Sequence, residues 1–325
     1  MACKHLVIIH GRDKKPRCEE MKALVEKALI AGLQRVNEES ADKIRNNSIK
    51  LSFVYYGDIN NRLLVQRHCR LKYIMEEENG QWYVRRGYYD KDLETLIQRP
   101  TAEHTSEDYD KLVADQMGER LKDNAASMFS PVLSIFGMSN RAIKRFLPDL
   151  GSYLDSRVVG SEIRERLQCP LAKALRCDED VMLLSHSMGC MVSYDVLWKF
   201  SRMSEYKELW NKKIKVWLTL GNPLGEPAVK EGLYDSDEPD DGRYPKNIEH
   251  WINISAVDDY ISHDQTVRDD FRKMLHEKLV GAIDDLPPIY TFWKDQCGKF
   301  NAHNFFGYLN HPKVAEQVDR WIRSE

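Results

Sequence analysis

Short apolar runs recur along the chain and alternate with segments of helical periodicity. Strands are predicted at 5–10, 50–56, 181–185, 214–220, 251–255 and 289–293. Continuous apolar runs of this length are typical of parallel strands buried on both faces, and such strands need helical crossovers. Helices with apolar positions three and four apart are predicted at 18–37, 158–175, 188–203, 266–279 and 313–323. The pattern predicts an α/β fold with a mostly parallel, doubly wound sheet of about six strands.

The stretch between the second and third predicted strands is longer than a crossover needs. We interpret 58–155 as an insertion, or cap, within a single domain spanning 1–325. Residues 70–75 and 81–88 alternate apolar with polar positions and predict a β-hairpin closed by Asn79-Gly80. A helix is predicted at 109–128. The apolar segment 128–138 predicts either a lid over a site or packing of the insertion onto the core.

Composition and charge narrow the class of protein. The chain has 42% hydrophobic and 30% charged residues and a net charge of -3, which is typical of a globular protein with a sizeable core. Mixed charge without a basic arm argues against nucleic acid as a partner. The acidic residues of 235–241 predict a solvated loop.

The N-terminal residues and the cysteines bear on location. The first apolar run is too short for a signal peptide, and no stretch is long enough for stable membrane insertion. Seven scattered cysteines form no CxxC pair and no zinc-like cluster, which favours reduced thiols and no metal. These features predict a cytoplasmic protein.

A serine stands at the turn between the third predicted strand and the next helix. The sequence there is Ser185-His186-Ser187-Met188-Gly189. A serine at such a tight bend has an exposed hydroxyl above the positive end of a helix, and the bend requires small neighbours. His186 is interpreted as structural, because neighbours in an extended segment face opposite sides. Cys190 lies inside the helix, where cysteine is usually a small hydrophobe.

This segment resembles the nucleophile elbow of the α/β-hydrolase superfamily, with Ser185 in place of the first glycine of GxSxG. The resemblance extends to lipase-like and esterase-like members, and it implies a serine nucleophile, then an acid, then a histidine in chain order. It also implies that the first two strands of the full fold are missing. It covers the core segments and leaves 58–155 unmatched.

The expected acid and histidine follow the fifth and sixth predicted strands. By the resemblance, Asp259 is the acid, with Asp258 and Asp264 as alternatives. His303 is the base, because the family histidine precedes an aromatic residue and the final helix. His311 precedes Pro312 and is interpreted as a helix-start residue.

The remaining part of the site is an oxyanion hole. The backbone N–H of Met188, directly after the nucleophile, is the first expected donor. By the resemblance, the second comes from the loop at Gly11 and Arg12. The Arg12 side chain is expected either to face an anionic substrate group or, as we favour, to bridge surface carboxylates. The turn at 218–225 resembles one that shapes the site wall in lipase-like hydrolases.

The expected function is hydrolysis of a small-molecule carboxylic ester or related acyl bond through an acyl-serine intermediate, without cofactor or metal. A non-catalytic binding or regulatory protein with this fold is the alternative from another class. A thioesterase, acyltransferase or peptidase would use the same three residues.

Overall fold

The computed structural model describes residues 3–67, 69–122, 147–262 and 264–324. The strands in these ranges are β1 (Lys4–Ile9), β2 (Lys50–Val54), β3 (Met75–Glu78), β4 (Gln81–Val84), β5 (Asp180–His186), β6 (Ile214–Leu220), β7 (Ile248–Ile254) and β8 (Val280–Asp285). Six of the described strands form one sheet in the order β2-β1-β5-β6-β7-β8, and every neighbouring pair is parallel. Strands β3 and β4 form a separate antiparallel hairpin.

The described α-helices cover both faces of this sheet. They are α1 (Cys18–Gln34), α2 (Glu38–Arg45), α3 (Gly57–Arg67), α4 (Asp90–Gln98), α5 (Ser106–Lys122), α6 (Pro148–Asp155), α7 (Arg157–Arg176), α8 (Met188–Arg202), α9 (Pro227–Lys230), α10 (Arg272–His276), α11 (Phe305–Leu309) and α12 (Pro312–Arg323). One apolar core packs α6, α7 and α8 against the sheet, and a second packs α1, α11 and α12 against its opposite face. The prediction of an α/β fold with a mostly parallel sheet is confirmed.

The strand order reverses between β1 and β5. From β1 the chain crosses to β2 on one side, and from β5 it proceeds through β6, β7 and β8 on the other. In an open α/β sheet, such a reversal leaves a crevice at the carboxyl ends of the two strands, where ligands bind. Gly11 follows β1 and Ser187 follows β5, so both lie at this crevice.

The prediction for the sixth strand was wrong. The strand is β8, whereas 289–293 contributes only a bridge between Ile289 and Ala256. Strand β8 contains Gly281 and ends in two aspartates. Glycine and aspartate are depleted in strands, so the sequence of β8 does not have the pattern that predicts a strand. The run 289–293 is apolar for another reason, because Trp293 packs on Phe306 with ring centroids 5.2 Å apart.

The helix predicted at 266–279 is also largely absent, since only α10 is helical there. The carboxylate of Asp285, at the end of β8, accepts the amides of Val267 and Arg268, each at 2.9 Å. These long-range bonds hold the segment outside helical geometry. The helix predicted at 18–37 ends at Gln34, and Asn37 caps the separate helix α2 by accepting from the Glu39 amide.

The hairpin turn was predicted correctly and its first arm was not. Asn79 and Gly80 both have positive φ, at 51° and 78°, as a type I′ turn requires. The first strand is the glutamate-rich β3, and 70–73 lies in a 3₁₀ helix. The hairpin, α4, α5 and α6 fall within 58–155, and α3 begins one residue before this range. The apolar segment 128–138 lies outside the described residues, as does the end of the helix predicted at 109–128.

None of the helices in the described ranges has the length and apolar character needed to cross a bilayer.

Candidate active site

Ser187 occupies a strained turn between β5 and α8. Its φ of 57° and ψ of -128° lie in a region of backbone conformation that residues other than glycine rarely adopt. The Ser187 amide donates to the Leu220 carbonyl of the neighbouring strand at 3.0 Å, which ties the bend to the sheet. Surroundings that enforce such a conformation are frequent at functional sites.

Close backbone approaches explain the small residues around this turn. A Cβ on Gly11 would stand 2.6 Å from the Cβ of Ser187, and a Cβ on Gly189 would stand 2.7 Å from the His10 carbonyl oxygen. The buried turn accommodates the Ser185 side chain because its hydroxyl has hydrogen-bond partners. The hydroxyl lies 2.7 Å from Ser193 Oγ and accepts from Trp217 Nε1 at 3.1 Å.

The side chains of Ser187, His303 and Asp259 form one continuous hydrogen-bonded chain. Ser187 Oγ lies 2.7 Å from His303 Nε2. His303 Nδ1 lies 2.8 Å from Asp259 Oδ2 and 2.9 Å from Oδ1. An ionised carboxylate only accepts, so Nδ1 carries the proton, and in the neutral ring Nε2 is left to accept from the serine hydroxyl. Ser187, Asp259 and His303, which follow one another in that order along the chain, therefore lie together in the fold.

Asp259 is fully buried and held by several donors. Tyr308 donates its hydroxyl to Oδ2 at 2.6 Å, and the amides of Ile261 and Ser262 donate to Oδ1 at 3.0 and 3.3 Å. Burial alone raises the pKa of Asp259, but the adjacent His303 and these hydrogen bonds outweigh it and lower the pKa to about 2. The carboxylate is therefore ionised at neutral pH.

The other acidic candidates lie elsewhere. Asp258 accepts from the Tyr109 hydroxyl at 2.9 Å, and Asp264 accepts from the amide and hydroxyl of Thr266. His311 caps helix α12 by accepting from the Lys313 amide at 3.1 Å, so its interpretation as a helix-start residue is confirmed.

His186 and Cys190 stand near the serine without replacing any of the three residues. His186 Nε2 donates to the carbonyl of His303 at 2.9 Å, and its Nδ1 has no partner among the described residues. Burial, then the nearby His303, hold the pKa of His186 well below its usual value, so the ring is neutral. Burial raises the pKa of the Cys190 thiol, which leaves it protonated and unreactive.

Three further residues shape this site, and of these only Gly221 was part of a sequence prediction, through the turn at 218–225. Tyr308 bonds Asp259 from helix α11. Gly221, with φ of 54°, packs so closely that a Cβ there would stand 2.9 Å from Asp259 Oδ2 and 3.0 Å from His303 Nδ1. Asp149 holds Arg12 by an ion pair at 3.0 Å. Only Gly221 gave a signal, as a glycine at a strand end.

Ser187 and His303 open into a cleft of about 310 Å³. Its apolar wall is largely aromatic and its polar lining carries charges of both signs, a combination that suits an apolar ligand with a polar end. The aromatic lining is Tyr88, Tyr89, Trp293, Phe300, Phe305 and Phe306, the basic lining is Arg12, Lys14, Lys15 and Lys299, and the acidic lining is Asp13 and Asp295.

A cavity of about 620 Å³ lies beside α6 and residues 231–237. It is larger than the cleft but holds neither Ser187 nor His303, so we place the candidate site in the cleft. No group of three His, Cys, Asp or Glu residues within the described ranges could hold a metal ion.

The acidic loop at 235–241 departs from its prediction at one residue. Asp235 is buried and accepts from the Tyr194 hydroxyl at 2.9 Å, rather than facing solvent. Burial raises its pKa to about 7.

Comparison with known proteins gave no relative for this chain. No family model matches it, and no curated protein or solved structure matches it either.

Proposed function

We propose that this chain is a serine hydrolase of the α/β-hydrolase type that cleaves a carboxylic ester or a related acyl bond. The observation that carries the proposal is the hydrogen-bonded chain from Ser187 Oγ through His303 to Asp259, at 2.7 and 2.8 Å. It supports activation of the hydroxyl, because a serine is a weak nucleophile until an oriented base removes its proton.

In the first half-reaction, Ser187 Oγ attacks the acyl carbon while His303 Nε2 takes the hydroxyl proton. Asp259 stabilises the imidazolium that forms and keeps its Nδ1–H bonded. The carbonyl oxygen becomes an oxyanion. The intermediate then collapses, the bond to the leaving alcohol breaks, and His303 gives that alcohol its proton.

In the second half-reaction, water attacks the acyl-serine. His303 accepts a proton from the water, a second oxyanion forms, and its collapse returns that proton to Ser187 Oγ. The products are a carboxylic acid and the free enzyme, so atoms and charge balance without a cofactor.

The oxyanion needs donors that are already in place. Met188 begins helix α8, so its amide has no acceptor within the helix and lies at the positive end of the helix dipole. The second donor comes from the loop at Gly11 and Arg12, which the Gly11–Ser187 contact brings beside the nucleophile.

Fluorophosphonate labelling tests this proposal. We expect a covalent adduct on Ser187, located by mass spectrometry, and its loss in Ser187→Ala and His303→Ala. Ser201→Ala is the matched control, because Ser201 is a buried serine on the same helix that bonds only backbone groups. A folded parent protein without any adduct would refute the proposal in favour of a binding protein.

A further inference from the structure

The loop after β1 is held by a buried carboxylate from the far end of the 58–155 segment. Asp149 lies in the first turn of α6 and its side chain is fully buried. Its Oδ1 accepts from Arg12 Nε at 3.0 Å, and its Oδ2 accepts from the Asp13 amide at 2.9 Å. The two oxygens of one carboxylate therefore bracket two consecutive residues of the loop.

This part of the loop needs such support. Asp13 has a φ of 78°, a strained conformation for a residue other than glycine that persists only where surrounding contacts enforce it. Two residues before Asp13, Gly11 packs against Ser187 without room for a Cβ. The conformation at Arg12 and Asp13 thus decides where the backbone amides after Gly11 point relative to the nucleophile.

The far end of the same loop is held separately. The Asn61 side chain accepts from the Lys15 amide and donates to the Lys15 carbonyl, both at 2.8 Å. The Tyr55 hydroxyl donates to the Pro16 carbonyl at 2.7 Å. Lys15 Nζ also donates to the carbonyls of Arg12 and Asp13, at 2.5 and 3.2 Å. Loss of Asp149 should therefore free the Arg12 side chain and the Asp13 amide, while these carbonyls and the rest of the loop keep their anchors.

Asp149 is itself oriented. The Leu150 amide donates to Oδ1 at 3.0 Å, and the N-terminal turn of α6 favours a negative charge there. Because Arg12 Nε is engaged with this carboxylate, the ion pair fixes the Arg12 side chain against α6.

We infer that Asp149 is a positioning residue for the oxyanion hole, acting through the Arg12–Asp13 backbone. The catalytic part of this inference rests on the proposed function. It assigns to α6 a role in transition-state stabilisation, although none of its residues needs to touch the reacting atoms.

The test compares Asp149→Asn with the parent protein on a chromogenic ester. An oxyanion forms only in the transition state, so kcat should fall roughly tenfold or more while KM stays within about twofold. The inhibition constant of a trifluoromethyl ketone, which forms a tetrahedral adduct on serine, should rise by the same factor as kcat/KM falls. Arg12→Lys keeps the Asp13 bond and should show a smaller effect.

Asp195→Asn is the matched control. Asp195 is a similarly buried carboxylate outside the cleft that accepts from Tyr153 of α6 at 2.5 Å and lies 3.4 Å from Arg164. Its loss therefore perturbs the same helix without removing a contact to the loop after β1. It should lower the melting temperature without lowering kcat. If Asp149→Asn does not fold, the double variant Arg12→Met/Asp149→Asn removes both charges together and avoids an unpaired buried arginine.

Hydrogen exchange of the amides at 11–14 provides a readout that does not depend on turnover. Exchange should accelerate roughly tenfold in Asp149→Asn and remain unchanged in Asp195→Asn. Unchanged exchange would overturn the positioning role, and faster exchange with parental kcat would overturn its link to the oxyanion. Failure of the parent protein to label at Ser187 would instead refute the proposed function.

Discussion

The Tyr308 hydroxyl donates to Asp259 Oδ2 at 2.6 Å and accepts from the Ala256 amide at 2.8 Å. It thereby links the carboxylate beside His303 to the end of β7. In the proposed mechanism, this bond keeps Asp259 ionised and correctly oriented.

Removal of this hydroxyl should weaken both function and stability. In Tyr308→Phe, we expect the pKa of Asp259 to rise, kcat to fall roughly tenfold, and the free energy of unfolding to drop by about 1–3 kcal/mol, because the buried Ala256 amide loses its acceptor. Ester kinetics and denaturant unfolding measure these effects. Tyr109→Phe is the control, since Tyr109 bonds Asp258, and an equal loss of kcat there would contradict the prediction.

The acid should be identified by three separate amide substitutions. Asp259→Asn should reduce kcat by a factor on the order of 10⁴, because the wrong tautomer of His303 is then favoured. Asp258→Asn and Asp264→Asn should stay within a few-fold of the parent. Asn tolerates the positive φ of 59° at position 258, so that control is free of backbone strain. A large loss of kcat in either control would assign the role of the acid to that residue instead of Asp259.

Gly221→Ala should disrupt the pairing of Asp259 with His303. Its Cβ would meet both side chains at 3.0 Å or less, so we expect a kcat loss of at least tenfold together with a lower melting temperature. Gly298→Ala separates the two causes, because Gly298 also has a positive φ, of 71°, but no atom lies within 4 Å of the added Cβ. That variant should lose only about 1 kcal/mol of stability. Parental kcat in Gly221→Ala would show that the contact is unimportant.

Ser185→Gly places the first glycine of the GxSxG pattern at position 185, yet it should destabilise the protein. The substitution leaves Trp217 Nε1 and the Ser193 hydroxyl without their buried partner, at a cost of about 1–3 kcal/mol. Because the Ser187 bend itself does not need the Ser185 hydroxyl, kcat should stay within about threefold. Urea unfolding and ester kinetics together test this, and increased stability would refute it.

Asp235 should make stability depend on pH. Its folded-state pKa of about 7 exceeds the ordinary value of 3.8, so the native state binds the extra proton between these values. Stability should therefore fall as pH rises from about 4 to 7, by at most about 4 kcal/mol. In Asp235→Asn this part of the decline should vanish, and the protein should be more stable above pH 7. The groups facing Asp235 are Tyr194, Asp195 and Arg243. An unchanged pH profile would contradict the prediction.

Local signals determined much of the framework from the sequence alone. Strands β1, β2, β5, β6 and β7 and the helices α7 and α8 on either side of Ser187 were predictable because buried parallel strands are continuously apolar and amphipathic helices are periodic. The chain order of Ser187, Asp259 and His303 followed from the same strand pattern together with the resemblance.

The tertiary structure decided what depended on distant partners. Strand β8 is too polar to be recognised, and its Asp285 breaks the helix predicted before it by accepting the amides of Val267 and Arg268. The three candidate acids of 258–264 became distinguishable only through the position of His303, 44 residues away from Asp259 in sequence. Likewise, Asp149 reaches Arg12 across 137 residues. Composition and periodicity cannot predict such contacts, because each contact depends on two segments meeting at the carboxyl edge of the sheet.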